Sequence, residues 1–351
     1  MSGARPALAL LLLINLFNYI DRQVLAAVVP QIKRTFFAPE MGRQANLERL
    51  LVWCQAHLGF KPENALVGVL SMAFMSVYML SAPVFGRLAE RRSRCALIAV
   101  GVILWSVASG ASGLAAGFFV LLFTRCFVGI GEAAYGPVAP SIISDFYPVS
   151  RRGTVLSWFY MAIPVGSALG YVVGDAVARS GIGSWAHRSF GGPAESWRWA
   201  FFVVVVPGIL LGLISVFQRE PARGAVDLGR RVAPTQTSWR DYALFARTPS
   251  YLLCTLGMTA MTFAIGCIAF WMPYFLAQKP GAPASATTIF GAVTVLAGLS
   301  ATLLGGFAGD RLRPRFSGSY FLVSSAAMLI GFPFVLLRPS DSARYQGRHY
   351  G

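Results

Sequence analysis

The sequence predicts an all-α, polytopic membrane protein, and three observations carry that prediction. Hydrophobic residues fill 56% of the 351 positions and charged residues 13%, about half the charged share of a soluble domain. Mean hydropathy is +0.59, so the chain has too little polar side chain to cover a water-facing surface. Apolar runs near the 20-residue length that crosses a bilayer as a helix recur nine times. Together these exclude a soluble enzyme, a disordered chain and a disulfide scaffold.

The runs fall at 7–30, 64–86, 95–113, 117–143, 154–178, 198–217, 250–277, 285–308 and 317–337. The first carries Asn15, Asn18, Asp21 and Arg22 and has no small-residue cleavage site, so it reads as a span rather than a signal peptide. Before the second run, Leu47, Leu50, Leu51, Cys54 and Leu58 recur at helical spacing among Glu48, Arg49 and Gln55. That pattern predicts a short amphipathic helix on the membrane or on the protein. The fourth to seventh runs contain Pro137, Pro140, Pro164, Pro207 and Pro273, which predict kinks. In the fifth, Gly166 and Gly170 form a close-packing G-S-A-L-G motif, and Asp175 near its outer end reads as interfacial. Residues 218–249 are polar, contain Pro and Arg, and separate six spans from three, which makes them the natural domain boundary. The expected organisation is a six-helix N-terminal bundle over 1–217, a cytoplasmic linker over 218–249, three helices of an incomplete C-terminal bundle over 250–337 and a polar tail over 338–351.

The net charge of +16 lies in short clusters between the apolar runs rather than on one basic stripe, which argues against nucleic acid as a partner. Arg87, Arg91, Arg92 and Arg94 fall within one short loop. This density places that loop, and with it the N-terminus, in the cytoplasm. The expected location is integral and multi-pass, in a bacterial inner membrane. Cys54, Cys95, Cys126, Cys254 and Cys267 show no metal-ligand spacing, and the three histidines form no catalytic set. G-I-G-E-A-A at Gly129 to Ala134 lies inside a span with no preceding strand, so it is not a dinucleotide loop. No cofactor, metal or enzymatic activity is expected.

Two loops repeat. Gly86 to Arg94 reads G-R-L-A-E-R-R-S-R, and Gly306 to Arg315 reads G-F-A-G-D-R-L-R-P-R. Gly86 pairs with Gly306, Glu90 with Asp310 and Arg91 with Arg311. Repeated halves are a recurrent build of secondary transporters, with the substrate site between the halves. The loop reads as a conformational latch. Glycine allows close helix approach, the acid pairs or caps, and Arg91, Arg94 and Arg311 hold the cytoplasmic side.

Ionised groups inside spans are expensive and point to function. Asn15, Asn18, Tyr19 and Arg22 share one face of the first span, with Asp21 at its edge. Arg125 and Glu132 are two turns apart on the fourth span, about 10.5 Å along the axis, with Gly129 on the same face. Asp21, Arg22, Arg125 and Glu132 sum to zero charge. Arginine keeps its proton, so a carboxylate must take up any added one. Burial and a neighbouring guanidinium pull that equilibrium in opposite directions, so it can be poised.

The Gly86 loop resembles the signature between the second and third helices of the major facilitator superfamily, with Glu90 at its usual Asp. F-N-Y-I-D-R-Q-V-L from Phe17, R-C-F-V-G-I-G-E-A-A-Y-G-P-V-A-P from Arg125 and F-Y-M-A-I-P-V-G-S-A-L-G-Y from Phe159 are similar to the spinster-like branch. That branch includes lysolipid and sphingosine-phosphate transporters. The resemblance implies the major facilitator fold and alternating access. It also implies Asp21 with Arg22 as a proton-coupling pair, Glu132 with Arg125 as its counterpart, and Tyr135 among the polar cavity groups. The superfamily has twelve helices, so the C-terminal bundle is expected to be incomplete. The expected function is proton-coupled secondary transport of an amphipathic organic anion or lysolipid, with protons and membrane lipids as further partners. The alternatives are a hexuronate-type organic-anion:proton symporter and a non-transporting membrane sensor or degenerate fragment.

Overall fold

The computed structural model describes residues 3–37, 45–58, 62–224, 242–283, 285–316 and 318–336. Among these the regular structure is helical throughout: α1 Ala4–Ala27, α2 Val29–Phe37, α3 Ala45–Leu58, α4 Glu63–Arg91, α5 Arg94–Gly113, α6 Phe118–Ala133, α7 Val138–Phe146, α8 Val149–Arg179, α9 Ile182–Phe190, α10 Ser196–Val216, α11 Tyr242–Ala246, α12 Pro249–Ala277, α13 Ala286–Leu312 and α14 Ser319–Leu336. Eight helical stretches among the described residues are long and apolar enough to cross a membrane, α6 and α7 together counting as one. The ninth expected span forms α14, whose apolar stretch Ser319–Phe334 is shorter than those eight.

The helices begin and end for local reasons. Ser93 caps α5, its hydroxyl accepting from the Ala96 amide at 3.3 Å. The run at 117–143 is not one kinked helix but two, α6 and α7, broken over Ala134–Pro137. Pro137 has no N–H to continue the ladder, and it stands at the start of the next helix. Pro164, Pro207 and Pro273 lie inside continuous helices. The expected amphipathic helix is α3, which buries Leu47, Leu51 and Cys54 and exposes Val52 and Trp53.

The chain divides into two compact units, 1–295 and 296–351. In the first, α1 packs along α8, α10 along α5, and α6 between α4 and α5. Glycine makes the closest approaches. A Cβ on Gly166 would meet the Leu16 carbonyl at 2.7 Å, and one on Gly170 the Ile20 carbonyl at 2.6 Å, so the G-S-A-L-G face is the seam between α8 and α1. Apolar packing fills two buried clusters. One is centred on Val24, Ile32, Leu70, Phe118 and Phe201. The other is centred on Ile14, Ile98, Val102, Trp105 and Ile142. The spanning surfaces of α12 and α13 are mostly exposed. In the second unit, α14 turns back so that Tyr320 lies against Gly309. Residues 225–241 of the expected linker and the tail at 338–351 lie outside the described residues.

Candidate functional site

The four intramembrane charges meet where α1 crosses α6 beside α5. Asp21, Arg125 and Glu132 are no more than 2% exposed. The pairing crosses between helices. Arg22 Nε donates to Glu132 Oε2 at 2.6 Å, and Arg22 Nη2 lies 2.5 Å from the same oxygen. Asp21 accepts from the Ser109 hydroxyl, and the Arg125 charge acts on it without a direct ion pair. The sequence reading joined Asp21 to Arg22 and Glu132 to Arg125. Neighbours on a helix point about 100° apart, so each α1 charge turns to a partner on another helix.

α5 supplies the hydroxyls. Arg125 Nη2 donates to Ser112, and Ser112 exchanges a 2.8 Å bond with Thr124. Ser109 and Ser112 are fully buried and one turn apart. They hold Asp21 and Arg125 separately, by neutral groups, while Arg22 and Glu132 hold each other directly. Arg22 is also ringed by Tyr19, Phe74 and Tyr78, with ring centroids 5.0, 5.2 and 5.4 Å from its guanidinium carbon, and Arg125 faces Phe201 at 5.1 Å. Among the described residues, three buried atoms of the set have no hydrogen-bond partner: Asp21 Oδ2, Glu132 Oε1 and Arg125 Nε. Each carboxylate therefore keeps one oxygen where a proton can add without breaking an existing bond.

Of the expected cavity groups, Asn18 lies beside Glu132 and Tyr19 caps Arg22. Asn15 and Tyr135 are spent on backbone. Asn15 donates to the Phe159 carbonyl at 2.8 Å, and Tyr135 donates to the Leu11 carbonyl at 2.6 Å. The sequence reading missed Ser109, Ser112, Phe74 and Tyr78. Ser106, Ser109 and Ser112 recur every third residue in an otherwise apolar span, and that stripe was the available signal.

The latch loop is built around one of its arginines. Arg94, buried at the start of α5, donates to Glu220 at 2.7 Å and to Asp145 at 2.5 Å, and it donates to the Pro221 carbonyl at 3.0 Å. Arg223 donates to the Ala89, Glu90 and Arg92 carbonyls at the end of α4. Asp145, Glu220 and Arg223 carry no motif and were not expected. Glu90, Arg91 and Arg311 are exposed, and the Asp310 side chain lies outside the described residues. A Cβ at Gly86 or Gly306 would meet nothing within 4 Å, so close helix approach is not what these two glycines supply here. Asp175, expected at an interface, is buried and held by both Nη2 and Nε of Arg179.

Burial pushes the Glu220 carboxyl up, but hydrogen bonds from Arg94 and Ser93 and the Arg94 charge outweigh it and hold the group below its ordinary value. A carboxyl depressed in this way adds stability that is complete above its unfolded value and lost as pH falls through the folded one. Glu220→Gln is therefore expected to melt earlier than the parent at neutral pH, with the gap closing in acid. Melting of both proteins across pH in detergent checks this, and a gap that persists in acid contradicts it.

Spanning helices with compensated charges between them define an integral, multi-pass membrane protein. The family model for the Major Facilitator Superfamily matches residues 11–343, and the chain belongs to that superfamily. Within it the chain is similar to spinster proteins. It is 35% identical to Protein spinster homolog 1 of Homo sapiens over 361 residues, 96% of this chain and 61% of that protein. It is 30% identical to the sphingosine-1-phosphate transporter SPNS2 of Danio rerio over 339 residues, 92% of this chain and 60% of that one. The chain thus spans about three-fifths of the curated relatives it matches. Among solved structures, a bacterial homolog of the human lysosomal transporter spinster, inward-facing and unoccupied, aligns with a TM-score of 0.69 at 28% identity, covering 90% of this chain and 64% of that one. A D-xylose-proton symporter shares the fold at 17% identity and a TM-score of 0.61, covering 88% and 70%.

Proposed function

We propose that the chain is the transport-bearing part of a proton-coupled spinster-like carrier that moves an amphipathic anion, a lysolipid or related compound, by alternating access. Residues 1–217 form its first half and 250–337 begin the second, with the N-terminus in the cytoplasm of a bacterial cell. The observation that carries this reading is the buried quartet, neutral as a set, with a direct ion pair between Arg22 and Glu132 and, among the described residues, an unbonded oxygen on each carboxylate. One added proton leaves the set with a net positive charge, and the charge belongs to an arginine that has lost its counter-ion. Protonation of Glu132 frees Arg22 from its ion pair, and protonation of Asp21 leaves the Arg125 charge without the anion that balances it. A freed guanidinium binds a phosphate or carboxylate head group with charge-assisted hydrogen bonds. The relative named as a sphingosine-1-phosphate transporter supports a lipid-like substrate.

The test is uptake into proteoliposomes driven by an imposed pH gradient. Asp21→Asn and Glu132→Gln are each expected to abolish the dependence on the gradient. Unchanged gradient-driven uptake in both variants overturns the coupling role.

A further inference from the structure

The first six spans meet α12 and the start of α13 at one end of the bundle, the end opposite the Arg94 loop. Tyr171 of α8 donates to the Ala269 carbonyl at 2.7 Å, and Thr288 of α13 donates to Asp175 at 3.3 Å. A cation also bridges to α12. Lys33 of α2 places its ammonium 2.6 Å from Asn64 Oδ1 of α4 and 2.6 Å from the Tyr274 hydroxyl of α12, and 4.8 Å from the Tyr274 ring centroid. The same hydroxyl accepts from Gln278 at 2.6 Å. One lysine therefore ties three elements together across this gate.

Among the described residues the partners of Lys33 are neutral, and no carboxylate forms an ion pair with it. Asp175 lies at the same end, but both Nε and Nη2 of Arg179 hold it, so its charge is already answered. An ammonium held only by neutral oxygens keeps its affinity for an anion, because charge-assisted bonds are about twice as strong as those it already makes. We propose that Lys33 is an outer anion-binding residue of this carrier. It latches the gate through Asn64 and Tyr274 when the site is empty, and it takes the phosphate or carboxylate of the amphipath when the gate opens. An anion on Lys33 displaces Asn64 and Tyr274, so the gate recloses only after the head group has moved off. This deepens the transport reading and rests on it for the cargo, but the latch itself is tested without transport.

The experiment is a distance measurement by pulsed electron resonance. Spin labels replace the exposed Arg34 and Lys279, which flank the gate on α2 and just beyond α12, in the full chain with its five native cysteines changed to alanine. The parent is expected to give one short distance. Lys33→Met is expected to add a longer one, raising the open-to-closed ratio about tenfold for the loss of a charged hydrogen-bonded latch, and Lys33→Arg is expected to restore most of the short distance. In the parent, lysophosphatidylglycerol is expected to raise the longer-distance fraction, while monoacylglycerol of the same chain length does not; Lys33→Met removes the difference. If Lys33→Met leaves the distances unchanged, or if the two probes act alike in the parent, the proposal is overturned. If uptake fails in every protein while the distances respond as described, the transport reading fails and the anion latch stands.

Discussion

Glu132→Ala is expected to cost about 3–5 kcal/mol of stability, the penalty for leaving one member of a buried ion pair without its partner. In that variant the Arg22 guanidinium remains between Tyr19, Phe74 and Tyr78 with no anion within reach on α6. The penalty is the burial of a bare charge rather than the value of the pair, so the double variant Arg22→Met/Glu132→Leu is expected to recover most of the loss. An apolar contact of similar size has no charge to desolvate. Thermal unfolding in detergent compares the three proteins. The double variant is expected to be as stable as the parent within about 1 kcal/mol and devoid of pH-driven uptake. A double variant less stable than Glu132→Ala would show that the pair holds the helices together.

Gly129→Val is expected to do comparable damage by a different route. A Cβ there would lie 2.5 Å from the Phe74 carbonyl oxygen and 3.2 Å from the Tyr78 amide. Both are backbone atoms, so no side chain can swing away, and α4 must move off α6. Overpacking of this kind costs about 1–3 kcal/mol and sometimes more. Phe74 and Tyr78 are also two of the rings around Arg22, so the shift reaches the charged site. Gly86→Ala and Gly306→Ala are the matched controls. Their Cβ atoms would enter open space, and alanine favours a helix over glycine by up to about 1 kcal/mol, so neither is expected to lower stability. Melting temperatures that fall equally in all three variants would contradict this account.

The helical class and the positions of the spans were legible because a bilayer sets element length and composition. The break between α6 and α7 was only half legible. Pro137 and Pro140 announced a disturbance, but whether a proline kinks a helix or ends it depends on what neighbours can accept the freed carbonyls. The ionised residues of the site could be read because each is costly in a span. Their pairing could not, because it depends on which face of α1 turns toward α6, and Gly166 and Gly170 set that face through contacts with α8. Ser109 and Ser112 were overlooked because a hydroxyl in a span is cheap and often bonds its own helix, as Ser106 does to Val102. Arg94 was expected among the latch residues of its loop, and its partner Glu220 was invisible because no motif marks a carboxylate just beyond a span.

The cross-pairing of α1 with α6 also bears on how the protein meets the membrane voltage. The field across a bilayer does work only on net charge that moves along it, about 2.3 kcal/mol per elementary charge per 100 mV. At the site, α1 carries one charge of each sign on the successive residues Asp21 and Arg22, and α6 carries the complementary two. A tilt or rotation of α1 against α6 therefore displaces equal positive and negative charge together, and it costs almost nothing electrically at any resting potential. The same movement after one carboxylate has taken up a proton carries a single uncompensated charge through the field. Under the proposed coupling, the voltage therefore acts on the protonated protein until an anionic head group compensates that charge.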